Sequence, residues 1–231
     1  MNARTNSCRI IFVTGTDTGV GKTLLTALLL EHLRAAGIPA LAMKPFCSGG
    51  TADVQLLQSL QEGELSPREM NPFYFSKPVA PLVAARAGHR VIRLPEVVRA
   101  IRAVSKRCRC LLVEGSGGLL VPLGQGYTVA DLIAKLKCEV LVASRNRLGT
   151  INHTLLTVRM LQQIVNQPIR VVLMGCARRD FSSRSNAGTL GELLSPVPLI
   201  EVPFLGENAM RRNAIKKIAK KMKKVLARIG G

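Results

Sequence analysis

A glycine-rich segment near the N-terminus has the residue types and spacing of a phosphate-binding loop. Residues 15–23, which read GTDTGVGKT, match G-x-x-x-x-G-K-T and lie between a strand-like and a helix-like segment, so an accidental glycine-rich turn is disfavoured. Lys22 can reach the β- and γ-phosphates of a nucleotide, and the Thr23 hydroxyl can ligate Mg²⁺. The pattern predicts nucleotide contacts from Gly19, Val20, Gly21, Lys22, Thr23 and Leu24.

Few carboxylates are available to complete a Mg²⁺ site, because the chain has only four aspartates. Glu114 ends the apolar segment CLLVE, and in a parallel sheet such strand ends face the ligand crevice. The Gly115, Ser116 and Gly117 that follow allow a backbone to approach a phosphate closely, which argues against a charged strand end in solvent. Asp53 is the second candidate ligand, although an ordinary acidic residue at a helix start remains an alternative.

Lys44 is the remaining candidate for chemistry in this part of the chain. It ends a strand-like segment immediately before Pro45, with Ser48 and Gly49 close behind. A lysine at this place points into the same crevice as the phosphate-binding loop, whereas the alternative is a solvated surface lysine. We therefore treat Lys44 as a candidate catalytic cation.

Apolar strand-like segments alternate with helix-like segments along the whole chain. Each strand-like segment is apolar at consecutive positions rather than alternating apolar with polar residues. This pattern predicts a parallel sheet with helices on both faces, in one α/β domain over residues 1–231. The predicted strands are 9–15, 40–43, 109–115, 140–144, 170–174 and 198–203; the predicted helices are 22–36, 53–61, 81–88, 95–106, a short one from 128, 151–166, 186–194 and 209–229; 44–53, 62–78 and 115–126 are predicted to be irregular.

Composition excludes several classes of protein. The 231 residues are 47% apolar, which is sufficient for a large core and excludes wholesale disorder. Six cysteines without a C-x-x-C pair and three isolated histidines make a zinc site improbable. The N-terminus lacks an apolar signal core and no apolar run is long enough to span a bilayer, so we expect a reduced, cytoplasmic enzyme without a transmembrane segment.

The chain is strongly basic, and the C-terminus is the most basic part of it. The net charge is +19, and residues 211–231 carry nine Lys or Arg and no acid. On a helical projection, Ile215, Met222 and Ile229 fall on one apolar face opposite the lysines. We favour a helix at about 209–229 that docks this face on the protein, while contact with a membrane surface or a nucleic acid stays open.

Several segments carry a family pattern in a fixed order along the chain. They are VTGTDTGVGKT (13–23), KPFCSGG (44–50), NPFYFSKPVAP (71–81), VEGSGGLLVPL (113–123), LGTINHTLLT (148–157) and VPFLGEN (202–208). Together they resemble the dethiobiotin synthetase family. The combination of TGTDTGVGKT, KPxxSG and LGxINHxLLT is far more specific than a phosphate-binding loop alone.

The resemblance implies a P-loop α/β fold, a homodimer and ATP-dependent ring closure on 7,8-diaminononanoate with CO₂. One amine takes up CO₂, the carbamate attacks the γ-phosphate, and the other amine closes the cyclic urea. The resemblance implies that the reacting groups are contacted by Lys22, Lys44 and Thr18, that Mg²⁺ is held by Thr23, Asp53 and Glu114, and that the substrate is contacted by Ser48. It implies that the nucleotide base is contacted by Pro203, Phe204 and Leu205. It also implies that the substrate carboxylate in the partner's site is bound by Gly149, Thr150, Ile151 and Asn152.

The chain departs from the family pattern after the segment RVVLM. The family places an asparagine that reads adenine there, whereas this chain has Gly175, Cys176 and Ala177. We therefore predict that Cys176 takes the base-contacting place and that the preference for ATP is relaxed. Cys47 is interpreted as a small filler rather than a nucleophile, since ring closure needs no covalent enzyme intermediate.

Three other classes of protein compete with this interpretation. A partition or septum-positioning ATPase would carry a lysine early in the loop, where this chain has Asp17. An amidotransferase-type synthetase acting on corrinoid precursors would need a glutaminase domain, for which 231 residues leave no room. A nucleic-acid-binding module would interleave aromatic residues with its basic ones, and only 3% of this chain is aromatic, so no nucleic-acid partner is expected.

Overall fold

The central sheet consists of strands that are apolar along their length, and the computed structural model describes them within residues 8–178 and 180–231. The strands are β1 (Arg9–Gly15), β2 (Ala40–Met43), β3 (Phe46–Ser48), β4 (Phe73–Phe75), β5 (Cys110–Glu114), β6 (Pro122–Gly124), β7 (Tyr127–Thr128), β8 (Glu139–Arg145), β9 (Ile169–Met174) and β10 (Leu199–Val202). Six of them form one sheet in the order β10-β9-β8-β1-β5-β2, and every neighbouring pair is parallel. The predicted parallel α/β architecture is confirmed.

Helices flank this sheet and cover its apolar strands. They are α1 (Lys22–Ala35), α2 (Ala52–Leu60), α3 (Pro67–Met70), α4 (Pro81–Ala87), α5 (Leu94–Ser105), α6 (Val129–Leu136), α7 (Thr150–Ile164), α8 (Asn186–Leu194), α9 (Arg212–Lys221) and α10 (Lys223–Gly230), with a 3₁₀ helix at Phe181–Arg184. Within the described part of the chain, no helix combines the length and the apolar character needed to cross a bilayer.

The sheet order brings two of the candidate segments to one edge. Strand β1 lies between β5 and β8, and Val13 on β1 pairs with Glu114 on β5. Because the strands are parallel, the loop that follows Gly15 and the carboxylate of Glu114 both emerge at the carboxyl edge of the sheet. This register positions the candidate site.

Three segments predicted to be irregular contain short regular elements instead. Residues 44–53 and 62–78 hold β3 and β4, which pair with each other as a separate two-stranded ribbon. The rings of Phe46 and Phe73 stack across this ribbon at 4.9 Å between centroids. Residues 62–78 also hold α3, and 115–126 holds β6. Such short elements show no period of their own in the sequence, and their tertiary partners stabilise them.

The predicted single C-terminal helix is wrong in one respect, because it is two helices separated at Met222. The backbone of Met222 has φ −97° and ψ 15°, outside the α-helical range, although its N–H still donates to the carbonyl of Ile218 at 2.8 Å. Both halves contact α1, and the apolar face is fully buried at Ile215, Leu226 and Ile229. The predicted docking of the apolar face is confirmed.

Deleting the residues after Asn208 is expected to prevent stable folding. Each fully buried aliphatic side chain contributes about 1.5–3 kcal/mol, so losing the three named above removes a large part of the ~5–15 kcal/mol that stabilises a typical domain. We expect the truncated chain to aggregate or to melt without a cooperative transition in circular dichroism. The matched variant changes Lys220, Lys221, Lys223 and Lys224 to Gln, which leaves the apolar face intact and should leave the melting temperature and turnover unchanged. A truncated chain that melts cooperatively at the wild-type temperature would contradict this expectation.

Candidate active site

The phosphate-binding loop connects β1 to α1 through a backbone that only glycine adopts easily. Gly21 has φ 101° and directly precedes Lys22, the first residue of α1. A Cβ added at Gly21 would lie 3.2 Å from the side chain of Met174, so the position is restricted both by its left-handed conformation and by a neighbour. The N-terminal N–H groups of α1 therefore begin directly after this turn, at the place where the motif predicts a phosphate.

Lys22 is held inside its own loop. Its Nζ donates a hydrogen bond to the carbonyl oxygen of Asp17 at 2.8 Å, and the side chain is buried. Burial lowers the pKa of Lys22 to about 8, although the negative charge of Glu114 acts in the opposite direction. The ammonium group of Lys22 donates to a backbone carbonyl in this structure, and it can exchange that hydrogen bond for one to a phosphate oxygen.

Four side chains from separate elements make one polar cluster beside the loop. The Thr23 hydroxyl on α1 donates to Oε1 of Glu114 at 2.7 Å, and Nζ of Lys44 lies 2.9 Å from the same oxygen. Lys44 also forms an ion pair with Asp53 at the start of α2. Burial disfavours the charged form of Lys44, but the carboxylates of Glu114 and Asp53 outweigh it and raise the Lys44 pKa. Lys44 is thus a permanently charged, buried cation rather than a solvated one.

One oxygen of this cluster lacks a partner. Oε2 of Glu114 is buried and accepts no hydrogen bond, and the residue is only 1% exposed. An unsatisfied buried carboxylate oxygen is costly, and a bound cation would satisfy it. Within the described residues, no three His, Cys, Asp or Glu side chains gather as a metal cage, so Mg²⁺ here would take phosphate and water oxygens as further ligands. With that complement, Thr23, Asp53 and Glu114 fit a Mg²⁺ ion.

The loop and the cluster border one cleft of about 680 Å³. The predicted residues that line it are Thr18, Gly19, Gly21, Lys22, Thr23, Leu24, Lys44, Ser48, Asp53, Glu114, Gly115, Ser116 and Gly117. Val20 instead points its side chain into the core, where it is 3% exposed. The Ser48 hydroxyl is buried without a hydrogen-bond partner, which makes it available to a ligand in the cleft.

Part of the cleft wall was missed by reasoning from reactive side chains. Pro78, Val79, Ala80 and Pro81 form one side at the start of α4, and Val121 and Met210 also line the cleft. These residues are apolar and carry no chemistry of their own. The sequence marked this segment only as part of the family pattern NPFYFSKPVAP and as the start of a helix at 81–88, and neither feature predicted a wall of the cleft.

A second group of predicted residues lies outside the cleft of this chain. Thr150 begins α7, and its buried hydroxyl lies 2.6 Å from Oγ of Ser144. Gly149 and Asn152 are exposed and Ile151 is half-buried. Gly149, Ile151 and Asn152 are therefore accessible to a neighbouring molecule, whereas the Thr150 side chain is not, and the part of residues 149–152 in substrate binding stays a prediction.

The predicted base-contacting segments meet each other at the ends of β9 and β10. The N–H of Gly175 donates to the carbonyl of Val202 at 2.7 Å, and a Cβ at Gly175 would lie 2.5 Å from the backbone nitrogen of Phe204. This close approach sets Cys176 beside the segment that contains Pro203, Phe204 and Leu205. Because Met174, one residue earlier, contacts Gly21, the segments lie on the flank of the phosphate-binding loop.

Comparison with known sequences identifies relatives over almost the whole chain. Residues 9–227 match the family described as AAA domain. The ATP-dependent dethiobiotin synthetase BioD of Anaeromyxobacter dehalogenans (strain 2CP-C) is 42% identical over 212 residues, which cover 90% of this chain and 95% of that protein. The enzyme of the same name from Bacillus licheniformis is 38% identical over 196 residues, which cover 83% of each.

Solved structures share the fold at much lower identity. The MinC:MinD cell division protein complex of Aquifex aeolicus superposes with a TM-score of 0.64 at 13% identity, covering 97% of this chain and 96% of that one. A ParA family ATPase from Chlorobium tepidum gives 0.58 at 14% identity, covering 97% and 98%. At this identity the superpositions show a shared fold and carry no evidence for a partition or septum-positioning role in this chain.

Proposed function

Because this chain belongs to the ATP-dependent dethiobiotin synthetase family, we propose that its cleft uses ATP to join CO₂ to the two amines of 7,8-diaminononanoate. One amine adds to CO₂ and gives a carbamate, whose oxygen attacks the γ-phosphorus of ATP and displaces ADP. The second amine then attacks the carbamic-phosphoric anhydride, so that the cyclic urea closes and phosphate leaves. The observation that carries this proposal is the convergence of two buried cations, Lys22 and Lys44, on one cleft.

The proposed roles follow from where charge develops during this reaction. Lys22 exchanges its contact with the Asp17 carbonyl for the β- and γ-phosphates, and Lys44 stabilises the negative charge shared by the carbamate and the transferring phosphoryl group. Thr18 lines the cleft beside these groups, and the unpartnered hydroxyl of Ser48 donates to the substrate. Both cations are positioned before the reaction begins, which is the condition under which they stabilise a transition state most strongly.

Thr23, Asp53 and Glu114 would hold Mg²⁺ at the same place. When bound, Mg²⁺ neutralises charge on the nucleotide phosphates. Asp53 and Glu114 also pair with Lys44, so they would hold the ion beside this lysine. The unpartnered Oε2 of Glu114 supports this assignment.

A product assay tests the proposed function directly. The protein is mixed with 7,8-diaminononanoate, bicarbonate, Mg²⁺ and ATP, and phosphate release is compared with cyclic-urea formation measured by mass spectrometry. We expect one phosphate for each urea, and no phosphate release above background when the diamine is omitted. ATP hydrolysis at the same rate with and without the diamine would instead favour a switch ATPase. The cytoplasmic location stays a prediction.

The exposed surface around the start of α7 supports a homodimer. Leu148 is 79% exposed, and Phe181 in the neighbouring 3₁₀ helix is 88% exposed. The N–H of Leu148 donates to Asp180 at 2.7 Å, so these two apolar side chains belong to one connected surface. Leu156 on α7 is also largely exposed. Large apolar groups left in solvent around residues 149–152 suit burial against a second copy, whose site those residues would complete.

Mixing two inactive variants is expected to restore activity if sites are shared between subunits. Lys22→Ala removes the phosphate cation from a subunit's own site, and Asn152→Ala removes the contribution to the partner's site. Random exchange makes about half of the dimers mixed, and one of two sites in each is intact, so the mixture should regain about a quarter of wild-type turnover. Light scattering during the assay reports the oligomeric state. A monomer with full activity would contradict the shared site.

Relaxed nucleotide selectivity is expected from Cys176. A thiol is a weak hydrogen-bonding group, and losing one good hydrogen bond to adenine removes about 0.5–1.5 kcal/mol of discrimination. GTP or CTP should therefore support kcat/KM within about tenfold to a hundredfold of ATP. Cys176→Asn should increase the preference for ATP. A much larger wild-type preference would mean that backbone groups near Cys176 or Pro203 read the base.

A further inference from the structure

Two cysteines outside the cleft lie in contact with each other. The Sγ atoms of Cys8 and Cys108 are 3.7 Å apart, although 100 residues separate them in the sequence. Cys8 immediately precedes β1, and Cys108 lies two residues before β5. Both residues are half-buried rather than enclosed in the core.

The backbone holds these two sulfurs together. The N–H of Arg9 donates to the carbonyl of Arg109 at 2.9 Å, and Arg9 pairs with Cys110 in the parallel β1–β5 ladder. Because each cysteine is one residue from that hydrogen bond, the separation of their backbones is set by the sheet. A disulfide has a sulfur–sulfur distance of about 2.05 Å, so bond formation needs an approach of less than about 2 Å, which side-chain rotation can supply.

The contact between the two thiols affects the pKa of each of them. The hydrogen bond from Cys108 lowers the pKa of Cys8 even though burial opposes it. The same contact, together with burial, raises the pKa of Cys108. Either sulfur can donate in this contact; we assign the attack to Cys8, whose thiolate the neighbouring thiol would stabilise, and the resolving step to Cys108.

We propose that Cys8 and Cys108 form a reversible intramolecular disulfide with a low-molecular-weight disulfide such as oxidised glutathione as the oxidant. The Cys8 thiolate attacks one sulfur of the oxidant, which breaks its S–S bond, forms a mixed disulfide and expels one thiolate. Cys108 then loses its proton and attacks the Cys8 sulfur, which expels the second thiolate. Two protein thiols are oxidised and one small disulfide is reduced to two thiols, so the electrons balance.

The bond would fasten the amino ends of β1 and β5. The opposite ends of these strands carry the phosphate-binding loop and Glu114, so the cleft lies at the other edge of the sheet and its chemistry is not obstructed. Closing a loop of this length restricts the unfolded chain strongly. We expect oxidation to raise the melting temperature by roughly 5–15 °C while turnover at ordinary temperature stays within about twofold.

The test uses the full chain equilibrated in glutathione buffers of graded redox ratio. Free thiols are alkylated, and the disulfide-linked peptides are identified by mass spectrometry, while melting is followed in the same samples. We expect two thiols to disappear together and a Cys8–Cys108 peptide pair to appear as the melting temperature rises. Cys8→Ser and Cys108→Ser should each abolish both changes. Cys176→Ser, which removes another half-buried thiol, should retain both.

Four results would overturn the proposal. In the first, glutathione stays attached to Cys8 and no Cys8–Cys108 link forms. In the second, the oxidised protein is cross-linked between chains. In the third, the number of free thiols stays constant at glutathione redox ratios that oxidise ordinary vicinal dithiols. Loss of the melting shift in Cys176→Ser but not in Cys8→Ser would also contradict it. Addition of dithiothreitol after oxidation should return the reduced melting temperature.

Discussion

Alanine in place of Lys22 is expected to lower kcat for cyclic-urea formation by about 10²–10³-fold, equivalent to roughly 3–4 kcal/mol of transition-state stabilisation. The reason is that a buried ammonium at the start of α1 is positioned before the γ-phosphoryl group begins to move. A water molecule in its place would have to reorganise during the reaction. The measurement is product formation at saturating ATP and diamine, followed by mass spectrometry.

The pH dependence separates a catalytic loss from a folding defect. In the free enzyme the pKa of Lys22 is about 8, so its positive charge is present below that pH and is lost as the pH rises through it. Wild-type kcat/KM for ATP, which reports the free enzyme, should fall across this range, and the residual activity of Lys22→Ala should lack that step. Lys217→Ala, which removes an exposed lysine on α9, is the matched control and should retain both rate and profile. A Lys22→Ala enzyme that keeps the same pH step would show that another group titrates there.

Lys44→Ala is expected to lower kcat by about a hundredfold or more while the Kd for ATP changes by less than about tenfold. Lys44 acts on the group that receives the phosphoryl, whereas the loop and Lys22 supply most contacts to the nucleotide. Its removal also leaves Glu114 buried without its cation, and breaking such a pair costs about 3–5 kcal/mol of stability. Calorimetric titration with a non-hydrolysable ATP analogue and a thermal melt measure the two effects.

A double variant tests whether the stability lost in Lys44→Ala comes from the broken pair with Glu114. Lys44→Met with Glu114→Gln replaces the buried pair by neutral groups of similar size, which is often close to neutral for stability. The melting temperature should recover toward wild type, and turnover should stay low. Near-normal turnover in Lys44→Ala would show that this lysine does not act at the reacting centre.

The polar cluster illustrates where sequence reasoning succeeds and where it stops. Thr23, Lys44, Asp53 and Glu114 could each be singled out, because a motif or a strand end marks each of them. Their mutual contacts could not, since the hydrogen bond from Thr23 to Glu114 joins residues 91 positions apart. That Oε2 of Glu114 lacks a partner depends on the packing of every neighbouring group.

The same division holds for the fold. Alternating apolar and amphipathic segments predicted the parallel sheet and its helices, because adjacent residues encode strand length, helix period and capping. The ribbon of β3 and β4 and the interruption at Met222 carry no comparable local signal, and the contacts of each element with its neighbours decide them.

By itself, the sequence determined the phosphate-binding loop, the parallel α/β class and the family, because each is written in contiguous residues whose spacing can be read along the chain. Tertiary structure alone decided that Lys44 is a buried, paired cation, that an apolar wall from Pro78 to Pro81 closes the cleft, and that Cys8 touches Cys108. The physical reason is register. The pairing of Val13 with Glu114 fixes which distant side chains share one edge of the sheet, and that alignment is set by the packing of the whole domain rather than by any single segment.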